Sequence, residues 1–298
     1  DNSPIRGKQG CTRFDVVELA GIDATAPTPA WMISRLKLAG MRSISLVVDV
    51  TNYVMLETGQ PTHAYDLDLL SGGITVRRAV KGEKLKTLDG QVRELYEEDL
   101  LITDESGPIG IAGVMGGEST EVSDKTTRVL IEAANFDPIS IARSARRHKL
   151  PSEASKRFER GVDPLVADRA VARIAALLGE YGSAEPTGFG ASYRQIPKPE
   201  EIELPAGFAT QLVGVDYSSE LQKEILEQIG CQVELTENFL VTPPSWRPDL
   251  RHKTDLVEEI ARIDGYHKIG SRLPIAPPGN GLTEIQQLRR KLADSLAA

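Results

Sequence analysis

The sequence has few cysteines and no long hydrophobic run, and both shortages exclude classes of protein. Cys11 and Cys231 are its only cysteines, and neither stands in a CxxC or Cys/His spacing, so no cysteine metal-binding motif is expected. We expect both to be buried, inert residues of a protein in the reducing cytoplasm. The longest apolar runs, such as 44–50 and 109–115, fall far short of the roughly 20 residues that cross a bilayer, which argues against a membrane span.

Several catalytic and nucleotide-binding motifs are also missing. The chain has no GxGxxG or P-loop spacing, and its glycine-rich loop at 113–117 fits neither, so a mononucleotide-binding fold is not supported. No GxSxG elbow, Ser/His/Asp order or Cys/His pair stands out. If the protein is hydrolytic, a positioned water is therefore favoured over a nucleophile supplied by the protein.

The composition is that of a globular protein with an acidic balance. Of the 298 residues, 40% are hydrophobic and 26% are charged, values that rule out a mainly disordered chain, and the length suggests about two domains. The 35 Lys and Arg against 43 Asp and Glu give a net charge of -8, which argues against broad coating of nucleic acid. Because the chain starts at Asp1 rather than Met, we expect a fragment or a processed chain.

Apolar alternation between turn signals predicts a β-rich first part, behind a polar extension at the N-terminus. Residues 11–19 are strand-like, a helical pattern follows at 29–40, and short alternating runs recur up to residue 136. The dipeptide Asp89-Gly90 predicts a type I′ hairpin turn. The remaining predicted elements are helices at 139–149 and 163–181 and a proline-containing linker or sheet edge at 189–205.

A second, smaller unit is predicted from about residue 198 onward. Two helices are predicted at 219–229 and 254–264, with a hairpin between them at 232–244. This order resembles a small winged-helix or helix-turn-helix module, and an amphipathic helix is predicted after it at 284–297. The predicted fold class is α+β: a β-rich mixed domain with flanking helices, followed by a small winged-helix-like α/β module.

Glu132 is a candidate site residue because it is an acid inside the apolar strand pattern VLIEAAN. A buried carboxylate is costly unless it faces a ligand or is paired, so the alternative is a structural pair with an arginine. His63, after a Gly-Pro turn, and the loop IAGVMGGE are further candidates. A histidine holds a water or donates to a carbonyl, and glycines allow close approach of a ligand, although a lone histidine is most often simply hydrogen bonded.

Two charge clusters in the sequence each have two readings. Acids in and before the predicted helix at 254–264 would suit Mg²⁺, which takes oxygen ligands. Alternatively, they complement the helix dipole and pair with neighbouring arginines. Seven Lys and Arg between Arg143 and Arg160 form a basic stripe that either receives a phosphate backbone or is a solvated face.

Five long motifs, in order, resemble the β subunit of bacterial-type phenylalanine-tRNA ligase. They are VVDVTNYVMLETGQPTHAYD (47–66), GIAGVMGGEST (110–120), LIEAANFDP (130–138), SEASKRFERGVDP (152–164) and PSWRPDLRHKTDLVEEIARIDGY (244–266). The resemblance covers essentially the whole chain, as an interior part of that subunit. It implies an editing domain at 1–195, a winged-helix-like module at 196–274, and a linker with the start of the next domain at 275–298.

The resemblance implies that the first domain hydrolyses tyrosine mischarged onto phenylalanine tRNA. A pocket shaped for phenylalanine rejects an added hydroxyl poorly, so a second site must remove the error. The family's catalytic positions correspond here to His63, Thr51 and Asn52, which would orient the ester and the attacking water. Its substrate-binding positions correspond to Glu132 for the tyrosine hydroxyl, Gly117 and Ala154 for space around the ring, and Ser152.

The resemblance also implies a metal and partners. Its Mg²⁺ positions, shared with the α subunit, correspond to Asp249, Asp255, Glu258 and Glu259. The expected partners are that α subunit, in a heterotetramer of two α and two β subunits, together with phenylalanine tRNA and tyrosine or phenylalanine. The α subunit would carry out the ATP-dependent joining of phenylalanine to tRNA. Two alternatives stay open: a non-catalytic tRNA-binding and assembly scaffold with a vestigial pocket, and double-stranded DNA binding by the winged-helix-like module.

Overall fold

The computed structural model describes residues 10–271, 273–275, 279 and 281–298, so the predicted polar extension before residue 10 lies outside it. The strands are β1 (Cys11–Ala20), β2 (Thr62–Asp66), β3 (Thr75–Arg78), β4 (Lys84–Lys86), β5 (Val92–Glu94), β6 (Leu100–Asp104), β7 (Gly107–Ile111), β8 (Met115–Gly116), β9 (Arg128–Phe136), β10 (Glu185–Arg194), β11 (Ile202–Leu204), β12 (Gln232–Leu235) and β13 (Phe239–Thr242).

Helices flank and follow these strands. They are α1 (Ala30–Leu38), α2 (Leu46–Thr58), α3 (Pro138–Arg147), α4 (Glu153–Arg160), α5 (Ala167–Gly182), α6 (Phe208–Val213), α7 (Ser219–Gln228), α8 (Lys253–Asp264) and α9 (Glu284–Ala297), with short 3-10 turns at Leu67–Leu69, Glu118–Thr120 and Tyr266–Lys268. Antiparallel sheets with helices packed on them confirm the predicted α+β fold class.

Strand β9 lies inside a four-stranded antiparallel sheet of order β10-β1-β9-β2 and separates two hydrophobic cores. Side chains alternate along a strand, so its odd and even positions face opposite ways. Ile131 and Ala133 join a core formed with α1, α2 and α5. Ala134 and Phe136 join the other core, formed with α3, α4 and the second sheet, whose order is β3-β6-β7-β8. The apolar run of β9 therefore reflects burial of both faces.

The smaller unit has a hydrophobic core of its own. Strands β11, β13 and β12 form an antiparallel sheet in that order, and α6, α7 and α8 supply the remaining core residues. Ser218 accepts a hydrogen bond from the Leu221 amide at the start of α7, and Gly265 ends α8. The predicted helices at 219–229 and 254–264 and the hairpin between them are confirmed. The exact domain boundaries stay a prediction.

The structure differs from the sequence-based expectations at one turn, and it assigns two further segments that the sequence left open. The Asp89-Gly90 turn is not type I′, because only Gly90 has a positive φ and the Gly90 amide bonds back to the Thr87 carbonyl. The apolar run before the Gly-Pro turn forms the helix α2, closed by Gly59 at φ 77. The first part of the segment predicted as a linker or a sheet edge belongs to β10, which pairs with β1 as an edge strand of the main sheet, so the second alternative is confirmed there.

Arg13 is a buried charge that ties β1 to the segment before α5. It is 1% exposed, its Nε lies 2.6 Å from Asp15 Oδ2, and its Nη1 donates to the Pro164 carbonyl at 2.5 Å. Both cysteines are free and buried, as predicted. Burial raises the pKa of the Cys11 thiol to about 12, which keeps it protonated and unreactive.

We expect Arg13→Ala to lower the free energy of unfolding by about 3 kcal/mol, because the buried carboxylate of Asp15 would lose its closest cation and keep only the Ser192 hydroxyl and Arg194 at 3.7 Å. Urea denaturation followed by circular dichroism measures this change. Arg42→Ala, at an exposed position, is the control and should change the free energy by less than about 0.5 kcal/mol. Equal effects of the two substitutions would contradict the assigned role of Arg13.

Candidate functional site

Glu132 is a buried acid on the central strand β9. It is 5% exposed and lies opposite Val16 of β1 on one side and His63 of β2 on the other. Directly opposed residues of antiparallel strands share a face of the sheet, so Glu132 and His63 both face the second sheet. Tyr65, two residues after His63, shares that face as well.

These three side chains line a cavity of about 80 Å³ between the two sheets. The remaining lining residues are Pro61, Thr62, Ile102, Gly110, Ile111, Gly113, Val114, Met115, Gly116, Phe136, Ala154 and Phe158. Most of these side chains are apolar, Thr62 is the exception, and three glycines leave backbone in the wall. Glu132 is the only carboxyl group among the lining residues.

Tyr65, rather than an arginine, is the partner of Glu132. The Tyr65 hydroxyl donates to Glu132 Oε2, and both side chains are buried. Burial raises the pKa of Glu132 to about 7, and the hydrogen bond from Tyr65 partly offsets this rise by favouring the carboxylate. The structural alternative, a pair with an arginine, is therefore wrong. The cavity instead contains a carboxyl group whose pKa lies near neutral pH.

His63 supplies a neutral imidazole beside this carboxyl group. Burial lowers the pKa of His63 to about 4, so the ring carries no charge at neutral pH. Its Nε2 is buried and has no hydrogen-bond partner in the part of the chain that the structure describes. The ring meets the Tyr65 ring edge-on, with centroids 4.5 Å apart. An unsatisfied buried nitrogen is costly, which points to a ligand or water at this position.

Glycines in the loop after β7 allow the close packing around His63. A Cβ placed on Gly116 would lie 2.6 Å from His63 Cε1, whereas a Cβ on Gly117 would lie 2.7 Å from the Ile109 carbonyl oxygen. Gly116 therefore gives the imidazole its space. Gly117, the predicted residue, is not among the lining residues, and the backbone of Ile109 fills the space that a side chain there would need.

The other predicted site residues are distributed around the cavity. Ala154 lines it, and Ser152 caps α4 two residues earlier by accepting from the Ser155 amide. Thr51 and Asn52 lie on α2 and do not line the cavity, and the Thr51 hydroxyl donates to the Val48 carbonyl at 2.8 Å. The structure thus brings His63, Glu132 and Ala154 together and leaves four predicted residues outside the cavity wall.

Tyr65 and Phe158 of the cavity wall were not predicted from the sequence, whereas Gly116 belongs to the candidate glycine loop. The signal for Tyr65 was available, because residues two apart on a strand share a face and Tyr65 follows His63 at that spacing. Phe158 had no such signal, because α4 was not predicted.

The four acids of the smaller unit do not converge within this chain. Arg247 bonds both Asp249, at 2.9 Å, and Glu259, at 2.7 Å, and Asp255 accepts the backbone amides of Arg251 and His252 at the start of α8. Glu258 instead accepts from Tyr266. Among the described residues, no group of three or more His, Cys, Asp or Glu could hold a metal ion. The chain alone does not fit a magnesium site, and a site shared with a second subunit stays a prediction.

The basic stripe is largely paired with acids of the same domain. Arg147 contacts both Glu98 and Asp99, Arg143 lies 3.6 Å from Glu98, and Arg146, Lys156 and Arg157 also have carboxylate partners. These ion pairs favour the reading as a solvated face over a dedicated phosphate site.

Glu132→Gln should change how stability depends on pH. The pKa of Glu132 is raised on folding from 4.5 to about 7, so the folded state binds the proton more tightly and this contribution is lost as pH rises between those values. The wild type should therefore lose about 3 kcal/mol relative to the variant between pH 4.5 and 7, and no more above pH 7. Urea denaturation across this range measures the difference, and a constant difference would contradict the buried-acid assignment.

Two families of protein domains match consecutive parts of the chain. Residues 10–183 match the B3/4 domain, and residues 202–266 match the tRNA synthetase B5 domain. The chain is 58% identical over its full length to the phenylalanine-tRNA ligase β subunit of Leifsonia xyli, and 52% identical over 97% of its length to that of Streptomyces avermitilis. It spans 35% of the length of each relative.

A crystal structure of an N-terminal fragment of the phenylalanyl-tRNA synthetase β subunit from Pyrococcus horikoshii aligns with 83% of this chain and 69% of its own. Its TM-score of 0.37 and identity of 16% are too low to support an inference. No helix of the described residues is long and apolar enough to span a membrane. The identities to the β subunits, together with the B5 match, confirm the resemblance found in the motifs. Because the B3/4 match covers more than half of the chain, the chain belongs to the B3/4 domain family.

Proposed function

We propose that the cavity between the two sheets is an editing site that hydrolyses the ester between tyrosine and phenylalanine tRNA. The observation that carries this proposal is the presence of one buried carboxyl group, Glu132, beside one unpartnered buried nitrogen, His63 Nε2, in a cavity whose lining side chains are mainly apolar. Such a pair of polar groups in an apolar wall is typical of a site that selects a ligand by one hydroxyl.

Glu132 would distinguish tyrosine from phenylalanine. A tyrosine ring in the cavity would donate its hydroxyl to the carboxylate, which exchanges water for a charge-assisted hydrogen bond. A phenylalanine ring would displace water and leave the carboxylate without that partner, a cost of about 1–3 kcal/mol or more. This penalty favours removal of the wrong amino acid and retention of the right one.

His63 would position the attacking water. Because the imidazole is neutral, its unpartnered Nε2 is free to hold a water near the ester carbonyl. The water oxygen bonds to the carbonyl carbon, the bond to the ribose oxygen breaks, and the water's proton passes to that oxygen, which releases tyrosine and intact tRNA. Thr51 and Asn52 would act only after a movement of α2 or through the bound tRNA.

The ring enters only if the cavity widens. Its volume of about 80 Å³ is about half of the 150 Å³ that holds benzene in a protein interior. Met115 in the wall is unbranched and adapts readily, which makes it the side chain best suited to yield.

We also propose the wider assembly that the family implies. In it, the chain acts with an α subunit and phenylalanine tRNA, and the α subunit joins phenylalanine to tRNA with ATP. A cytoplasmic location and Mg²⁺ at Asp249, Asp255, Glu258 and Glu259 belong to this proposal. For those acids to bind the metal, Arg247 must release Asp249 and Glu259.

The second candidate function is a scaffold without hydrolytic activity. It is favoured by one observation: Tyr65 already occupies an oxygen of Glu132 in a cavity too small for a ring. Under this reading the pocket is a vestige, and the chain contributes only tRNA binding and assembly.

The deciding experiment compares hydrolysis of tyrosyl and phenylalanyl esters of phenylalanine tRNA by the chain. We expect the tyrosyl ester to be released at least about 10-fold faster, as one charge-assisted hydrogen bond allows. Glu132→Ala should abolish this preference, and His63→Ala should lower the rate for both esters by about 100-fold.

Glu237→Gln, in the turn between β12 and β13, is exposed and serves as the control, and circular dichroism establishes that each variant folds. Release at the background rate by the wild type would favour the scaffold. A preference that survives Glu132→Ala would remove Glu132 from its assigned role.

A further inference from the structure

Tyr65 makes the one hydrogen bond that Glu132 receives from the described part of the chain. Its hydroxyl donates to Oε2, and its side chain is 1% exposed. The edge-on contact with the His63 ring, at an interplanar angle of 79°, and the pairing of β2 with β9 fix the position of the phenol. Glu132 lines the cavity, and no described residue donates to its second carboxylate oxygen.

We infer that Tyr65 is a specificity-determining positioning residue, whose hydroxyl holds Glu132 as a carboxylate with one oxygen filled and the other presented to the tyrosine of the substrate. The inference rests on the proposed editing function. It adds that the ability of the site to tell tyrosine from phenylalanine depends on Tyr65 and declines at acidic pH.

The charge state of Glu132 decides what it can recognise. A carboxylate only accepts hydrogen bonds, whereas a protonated carboxyl group also donates one. The protonated form is cheap to leave without a partner in an apolar cavity, so a phenylalanine ring is then penalised less. Discrimination therefore requires the ionised form, which burial opposes and the bond from Tyr65 favours.

A neutral donor suits this task better than a cation. An arginine beside Glu132 would keep it ionised, but it would neutralise the charge and occupy both oxygens. The phenol of Tyr65 stabilises the carboxylate without cancelling its charge, and burial raises the pKa of that phenol well above its usual value, so it stays a donor.

Few other groups bear on the titration of Glu132. His63 faces it from β2 and is neutral, and the buried thiol of Cys11 lies on β1. The lining residues from the second sheet and from α4, such as Ile111, Met115 and Phe158, carry no ionisable group. Thr62 is the other hydroxyl among the lining residues, but it lies opposite Ala133 on β9 and so faces away from Glu132. Removal of the Tyr65 hydroxyl thus leaves no other hydroxyl among the described lining residues on the sheet face that carries Glu132.

The test is Tyr65→Phe, which keeps the ring and removes the hydroxyl. Two quantities are followed between about pH 6 and 8.5: the ratio of tyrosyl-tRNA to phenylalanyl-tRNA hydrolysis, and the carbon-13 shift of the Glu132 carboxyl group in labelled protein. Each quantity changes with pH, and the pH at the midpoint of each change should rise by about one unit or more in the variant. The ratio of tyrosyl-tRNA to phenylalanyl-tRNA hydrolysis at pH 7 should fall by up to about 10-fold.

Tyr53→Phe is the matched control. It also removes a phenol that donates to a carboxylate, Glu57, but outside the cavity and beside α5. Neither the pH midpoint of the hydrolysis ratio nor that of the Glu132 shift should therefore move. A Glu132 midpoint that Tyr65→Phe leaves unchanged overturns the inference whether or not the wild type hydrolyses the ester, as does a moved midpoint with an unchanged ratio. Absence of hydrolysis by the wild type, at every pH, overturns instead the proposed function.

Discussion

The desolvation of one carboxyl group organises this domain. Glu132 sits on a strand that is covered on both faces, where ionisation is costly. The hydrogen bond from Tyr65 to one oxygen offsets part of that cost, and the unpartnered imidazole of His63 lies nearby. The tight loop at Gly116 and the register of β2 against β9 are needed to bring those groups within reach. A buried carboxyl group of this kind lowers the stability of the fold and, under the proposed function, allows the site to select its ligand.

The sequence predicted the existence of most elements better than their contacts. Regular alternation and capping residues were sufficient for β1, α3, α5, α7, α8 and the β12–β13 hairpin. Glu132 and His63 stood out because each breaks a pattern, an acid in an apolar strand and a histidine after a turn. The bond from Tyr65 could not be read from composition, because it depends on strand register across 67 residues of chain.

Spacing along the chain was a weaker guide in the smaller unit. Asp255, Glu258 and Glu259 do lie on one helix, yet each has a different partner. Sequence spacing fixes the direction of a side chain only roughly, and it does not reveal an arginine such as Arg247 arriving from a preceding loop. The pairing of Glu259 with Arg262 is the arrangement that dipole and surface charge alone would produce.

The alternating faces of β9 also limit how this region can change over time. Ile131 and Ala133 serve one core, and Glu132 between them serves the cavity on the other side. Insertion or deletion of a single residue within this strand would exchange the two sets, so that a carboxyl group enters the core against α5 and an isoleucine enters the cavity. Single substitutions can therefore change the cavity one residue at a time, whereas an insertion or deletion within β9 would disrupt both the cavity and the core.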